Sequence, residues 1–308
     1  MNIKIDLITG FLGSGKTTFI RKYVEYLIKN GERVGILEND YGAVNVDMML
    51  LSDLRGPSCE IEMIAGGCCY DCHVRRFKTK LISMAMSGYT RVIVEPSGIF
   101  DTDEFFDLVY DDPLENWYEI GSVITIVDSN IEIKDSDTEY LFSSQLAPAG
   151  AIIFTKVGNK RKEDLLAKVN KSLETIGCIR RIQDNEAYLG HHAAFKDSIF
   201  QNIMNSGYHS YSFEKKTVMQ ENNYSSICFM NKMLKKDYLL EISKKLFMDK
   251  AYGNVIRIKG FFMEADSWYL MNLTKDSFDV SPIAAGQDVI IVIGENLLED
   301  KIKEVIEK

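Results

Sequence analysis

Gly10-Phe11-Leu12-Gly13-Ser14-Gly15-Lys16-Thr17 constrains this chain more than any other stretch, because it fits G-x-x-x-x-G-K-[ST] in the context where that spacing has a mechanism. Alternating apolar residues at 3–8 read as a β-strand just before it. Behind it Phe19, Ile20, Tyr23, Val24, Leu27 and Ile28 recur at helical spacing, with Asn30-Gly31 as a stop signal. Glycines permit positive φ and close backbone approach. A helix start adds unpaired N–H groups and the positive end of its dipole. The pattern predicts that Gly10, Gly13, Ser14 and Gly15 cradle the phosphates of a nucleoside triphosphate, with Thr18 beside them. Lys16 is expected to reach the β- and γ-phosphates, and the Thr17 hydroxyl to face Mg²⁺.

The fold class follows from what comes next. Short, nearly all-apolar runs at 34–37, 91–94, 122–127 and 151–154 alternate with helical patterns near 74–86, 103–110, 138–146 and 163–176. Such runs suit strands buried on both faces, and their alternation with helices predicts an α/β P-loop NTPase with a mostly parallel sheet. The pattern changes after 205. A polar stretch reads as a linker, followed by strand-like 225–230, 255–262, 268–273 and 289–293 with helices near 237–247 and 296–307. The expected division is a nucleotide-binding domain at 1–205, a linker at 206–223 and a smaller α+β domain at 224–308.

Composition narrows the partners. Of 308 residues, 46% are hydrophobic and 26% charged, and the net charge is −9, so a packed core is expected and phosphate backbones are repelled. Neither nucleic acid nor a membrane surface is expected as a partner. No apolar run is long enough to span a bilayer, and the start lacks a basic, then apolar, leader pattern. The expected location is the cytoplasm, where six cysteines read as metal ligands, redox groups or small core residues.

Three further sites carry chemistry. Val92-Ile93-Val94 ends in Glu95, a carboxylate placed to hold Mg²⁺ directly or through water, and Gly98 follows as a candidate γ-phosphate contact. The strand at 151–154 runs into Thr155-Lys156-Val157-Gly158. Many GTPases carry Asn-Lys-x-Asp here, where the lysine stem packs on the base and the aspartate accepts from guanine N1–H and the 2-amino group. Gly158 stands in the aspartate's place, so guanine over adenine is not specified. Third, Cys68, Cys69 and Cys72 fall within five residues, and Cys69-x-x-Cys72 has the spacing at which two thiolates reach one tetrahedral ion. Soft thiolates favour Zn²⁺ or Cu(I), with Co²⁺ and Fe²⁺ less favoured. A buried cysteine set and a redox pair are the alternatives; Cys59 or His73 could add a ligand. The adjacent His191-His192 reads as a surface feature.

These residues resemble the CobW-like GTPases, relatives of the urease and hydrogenase accessory GTPases that deliver metals or assist cofactor insertion. The resemblance runs in order through 9–18, through Glu38-Asn39-Asp40-Tyr41-Gly42 with Val46-Asp47, and through the cysteine loop. It continues through Glu95-Pro96-Ser97-Gly98, Val127-Asp128, 145–156, and the tail segments 255–261 and 293–297. It implies slow, metal-responsive GTP hydrolysis that serves metal delivery or site maturation in a client metalloprotein or cofactor-dependent enzyme. Lys16, Thr17, Glu95 and Asp40 would carry the chemistry, and Cys68, Cys69, Cys72 and Glu38 the transition metal, zinc first. A homodimer stays open. The departures are that the cysteines run Cys-Cys-x-x-Cys where the family has Cys-x-Cys-Cys, that Ala43 replaces a glutamate, and that Gly158 replaces the guanine acceptor. Other readings are a non-catalytic metal store or sensor with nucleotide as a structural ligand, and a small-molecule kinase.

Overall fold

The computed structural model describes residues 2–11, 13–40, 50–65, 70–96, 102–133, 135–190, 195–213, 224–275, 277–283 and 286–307. They belong to two compact units, one carrying the residues up to 213 and the other those from 224 onward.

The first unit is built on seven strands: β1 (Ile3–Thr9), β2 (Val34–Asp40), β3 (Cys59–Ala65), β4 (Arg91–Glu95), β5 (Tyr118–Asp128), β6 (Ala151–Thr155) and β7 (Ala187–Leu189). Their order is β3-β2-β4-β1-β5-β6-β7, and every pairing is parallel. β4 and β6 are buried at all five positions, as the apolar cores Val92–Val94 and Ala151–Phe154 suit, and the polar residues at their ends, Arg91, Glu95 and Thr155, are buried with them. The helices are α1 (Lys16–Lys29), α2 (Tyr70–Ala85), α3 (Thr102–Val109), α4 (Ser136–Leu146), α5 (Lys162–Thr175) and α6 (Asp197–Met204). α1 buries the stripe Phe19, Ile20, Tyr23, Val24 and Leu27, and Asn30 and Gly31 (φ 87°) end it where the sequence placed the stop. α4 is started by Asp135, whose side chain accepts from the N–H groups of Asp137 and Thr138. The polar stretch after 205 stays tied to this unit as far as 213: Ala149 bridges Tyr208, the Tyr211 hydroxyl donates to Asp103, and Phe213 stacks on Tyr211.

A buried ionic network locks β1 to its neighbours. Asp6, fully buried, accepts twice from the Arg91 guanidinium at 2.7 Å, from the Tyr23 hydroxyl at 2.8 Å and from the Ser122 N–H at 2.8 Å. A side chain at Gly121 would meet Asp6 Oδ1 at 2.2 Å, so the glycine leaves the room this carboxylate needs. The network spans β1, β4, β5 and α1, and fixes the strand that feeds the glycine-rich turn.

The second unit is an antiparallel sheet of β8 (Tyr224–Met230), β9 (Asn254–Glu264), β10 (Ser267–Thr274), β11 (Phe278–Ile283) and β12 (Val289–Glu295), in the order β11-β10-β9-β12-β8. Leu239, Ile242 and Leu246 of α7 (Lys236–Met248) and Ile302 and Ile306 of α8 (Glu299–Ile306) share one core with Ile258, Met271 and Val292. β11, which carries Pro282, lies at the sheet edge, where a missing donor is tolerated.

Candidate functional site

Parallel strands bring their C-terminal ends to one edge, and the chain's order reverses beside β1: β2 and β4 lie on one side of it, β5 to β7 on the other. Open α/β sheets bind ligands in the crevice at such a switch point. The glycine-rich turn leaves β1 there.

Its geometry is that of a phosphate cradle. Gly10, Gly13 and Gly15 all have positive φ (142°, 77° and 98°), and Gly15 caps α1 in the left-handed conformation. At Gly10 a Cβ would sit 2.3 Å from the carbonyl oxygen of Ile126 in β5 and 2.8 Å from Ser14 Oγ. Only glycine therefore lets the turn close against the sheet. Ser14 Oγ is buried with no hydrogen-bond partner among the described residues, which fits a ligand oxygen at that point. Lys16 is buried; its ammonium donates to the Gly10 carbonyl at 2.9 Å and lies 3.9 Å from a Glu95 carboxylate oxygen. Lys16, Thr17 and Thr18 open α1, with Thr17 half-buried and Thr18 exposed. The Thr9 hydroxyl meets that of Thr125 at 2.9 Å, and Thr125 donates to the Gln145 carbonyl at 2.7 Å, so the entry to the turn is tied to β5 and through it to α4.

The end of β6 is tied to the same turn. Thr155 Oγ1 donates to the Ser14 carbonyl at 2.8 Å. Lys156, held at φ 51°, donates to the Gly13 carbonyl at 3.0 Å and to Asp128 Oδ2 at 2.7 Å. Asn130 Nδ2 donates to the Lys156 carbonyl at 3.3 Å, and Lys160 donates to Ser129 O and Asn130 Oδ1. Asn130 and Lys160 were missed by the sequence reading, because support for a loop leaves no periodic signal. Gly158 has φ 57° and nothing within 4 Å of where a Cβ would be.

On the other side of β1, Glu38 of β2 and Glu95 of β4 are buried and lie directly in register at the sheet edge. The row Leu7–Val94–Leu37–Glu62 crosses β1, β4, β2 and β3. Thr9 ends β1 two residues past that row, and Ala65 ends β3 three residues past it. The chain therefore enters the cysteine segment at nearly the height where β1 enters the glycine-rich turn. Parallel strands are about 4.8 Å apart, so the end of β3 stands roughly 10 Å from that of β4. Asp40 ends β2, and Cys72 lies in the first turn of α2; these two are described in backbone only. Cys68, Cys69, Gly98 and the histidines 191 and 192 lie outside the described residues. Cys59 is a core residue and not a further ligand: it begins β3, about 20 Å of extended chain from Ala65. Burial pushes its thiol up to about 11. Cys178 is likewise buried.

Among the described residues no helix is long and apolar enough to cross a membrane. Residues 4–183 match the family model described as "CobW/HypB/UreG, nucleotide-binding domain". The chain is similar to zinc-regulated GTPase metalloprotein activator 1 of Schizosaccharomyces pombe, 24% identical over 96% of this chain and 83% of that protein. It is also similar to the zinc chaperone YeiR of Escherichia coli, 30% identical over 50% of this chain and 46% of that one. Among solved structures it aligns with the Zn(II)-bound YjiA GTPase from E. coli at 16% identity, with a TM-score of 0.39, over 99% of this chain and 98% of that chain.

Proposed function

The chain belongs to the CobW/HypB/UreG nucleotide-binding family, and on that premise we propose that it is a metal-binding GTPase whose slow hydrolysis is coupled to handing a transition metal to a client protein. The metal is zinc first, with Co²⁺ or Fe²⁺ as alternatives, and the client is a metalloprotein or cofactor-dependent enzyme. The zinc-named relatives support the metal class.

The observation that carries the coupling is the shared sheet edge. β3 delivers the chain to the cysteine segment at the height of the phosphate turn, and between them stand Glu38 and Glu95, in register on adjacent strands. Each residue then has a task its position supports. Gly10, Gly13, Ser14 and Gly15 hold phosphates through backbone N–H groups and the Ser14 hydroxyl. The Lys16 ammonium, already steered by the Gly10 carbonyl, places positive charge where the γ-phosphate accumulates negative charge. Thr17 and Glu95 supply the hard oxygen donors that suit Mg²⁺. Bound there, Mg²⁺ would neutralise charge on the β- and γ-phosphate oxygens. Asp40, which ends β2, would orient water, and Thr155 and Lys156, which are tied to the glycine-rich turn, would bear on the base. Cys68, Cys69 and Cys72, together with Glu38, would be the donor set for the transferred metal, and thiolates with a carboxylate suit zinc. A metal that reorders this loop shifts the γ-phosphate contacts, and nucleotide shifts metal affinity by the same factor.

Purification under reducing, chelator-free conditions, with metal by elemental analysis and nucleotide by chromatography on one sample, tests the pairing of sites. Zinc and a guanine nucleotide in comparable amounts support it. Nucleotide with no thiolate metal, even after zinc is supplied, defeats the metal half. Metal release unchanged in Lys16→Ala would instead favour a store in which nucleotide only stabilises the fold.

A further inference from the structure

The second unit holds a cavity of about 340 Å³ between the end of β8 and the start of β12. Its charged element is Asp288, whose carboxylate is buried, and the amide side chains of Asn231 and Gln287 also line it. One oxygen accepts from the Met233 N–H at 2.6 Å, while the other, Oδ1, is buried with no hydrogen-bond partner among the described residues. A buried acceptor in that state calls for a donor. The neighbouring cation does not provide it: Lys232, between Asn231 and Met233, is engaged with Glu307 at 2.6 Å. The turn that frames the cavity is itself under constraint. Asn231 and Met233 both have positive φ (55° and 50°), and Asn231 donates from its backbone to the Asp288 carbonyl at 3.0 Å.

Beyond Asp288, Asn231 and Gln287 the wall is apolar and adaptable. Trp268 presents its indole, against which Gly286 lies so closely that a Cβ there would meet the ring at 2.8 Å. Met233 and Met263 also line it and are 73% and 41% exposed, and Met230, at the end of β8, is 41% exposed. Methionine rims repack around varied surfaces. An aromatic face, a buried carboxylate short of one donor, and a soft apolar rim match a cation on an alkyl stem: the stem lies on thioether and indole, and the head donates to Asp288.

We infer that this cavity receives the side chain of an arginine or lysine from a partner protein. The occupant is a protein and not a free amine, because the methionine rim extends apolar surface beyond what a small cation would cover. Arginine fits better than lysine, since a planar guanidinium stacks on indole while donating at its edge. Met233, mostly exposed, is the side chain that moves aside for it.

The test uses the full chain with Trp117→Phe, so that fluorescence reports Trp268, the other of the two tryptophans. The probes are a blocked Leu-Arg-Leu peptide, the same peptide with citrulline for arginine, and spermidine. The expected result is saturable quenching by the arginine peptide, with affinity about 10- to 100-fold weaker for the citrulline peptide, the range for a hydrogen bond to a charged group. Asp288→Asn, close to isosteric and still able to accept from Met233, should show the same loss. Equal affinity for the arginine and citrulline peptides, or no quenching at millimolar peptide, overturns the inference without needing a variant. Spermidine binding more tightly than the arginine peptide also overturns it, assigning the cavity to free amines.

Discussion

Gly158→Asp restores the carboxylate that guanine recognition uses elsewhere, and the local geometry says that it fits. Nothing lies within 4 Å of a Cβ at this position, so no neighbour must move. The backbone sits at φ 57°, a conformation that aspartate tolerates better than most residues, at a cost of about 1 kcal/mol. That cost falls on folding and is the same for every nucleotide, so it cancels from any affinity ratio. One hydrogen bond to an ionised carboxylate contributes about 1.5 kcal/mol or more, and two contribute about 3. The GTP-over-ATP affinity ratio should therefore rise roughly 10- to 150-fold. Inosine triphosphate, which lacks the 2-amino group, should gain only the first factor of about 10 over ATP. Competitive displacement of a fluorescent guanine nucleotide by GTP, ITP and ATP measures all three. A folded Gly158→Asp protein with unchanged ratios would mean that the base does not lie over Lys156 and Gly158, and would refute the assignment of this loop.

Other consequences follow from the same packing. Gly10→Ala drives a methyl to 2.3 Å from the Ile126 carbonyl at a φ that L-residues avoid. With strain of about 1–3 kcal/mol borne by the turn, triphosphate affinity measured by calorimetry should fall about 10- to 100-fold. Asp6→Ala leaves the Arg91 guanidinium buried without its carboxylate, and urea unfolding should show a loss of about 3–5 kcal/mol. Burial, and then the Asp6 charge, hold the Tyr23 phenol well above its ordinary value of 10.0. The unfolded chain gives up this proton near that value while the folded chain keeps it, so stability is unaffected below it and falls as pH rises beyond it. Tyr23→Phe should be less stable at neutral pH by about 1.5–3 kcal/mol, from the lost bond to Asp6. Its melting temperature should also decline less steeply than that of the natural protein above about pH 10.

Much of the architecture was legible because the strongest signals are local. The glycine-rich turn announced its strand and helix, and the short, nearly all-apolar runs at β4 and β6 have the pattern of strands buried on both faces. β3 carries the alternation of a strand with one polar face, Glu60 and Glu62 against Ile61 and Met63, but it lacks the all-apolar run of its neighbours and lies beside the sequence that carries the cysteines. β7 is three residues long, and β11 carries a proline, so neither shows a clear period; their places come from pairing with β6 and β10. The site divides the same way. Gly10, Lys16, Glu95, Thr155 and Lys156 could be named from motif spacing. The register of Glu38 against Glu95, and the nearly equal heights of Thr9 and Ala65, depend on which strand pairs with which, and that is a property of the sheet.

The central claim is that nucleotide and metal affinities are linked, and zinc titration in the presence and absence of a non-hydrolysable GTP analogue measures that directly. A chromophoric chelator in competition reports zinc occupancy. The account predicts zinc dissociation constants differing by about 5- to 150-fold between the two conditions, and analogue affinity shifting by the same factor when zinc is present. Equal zinc affinities in the two conditions would contradict it.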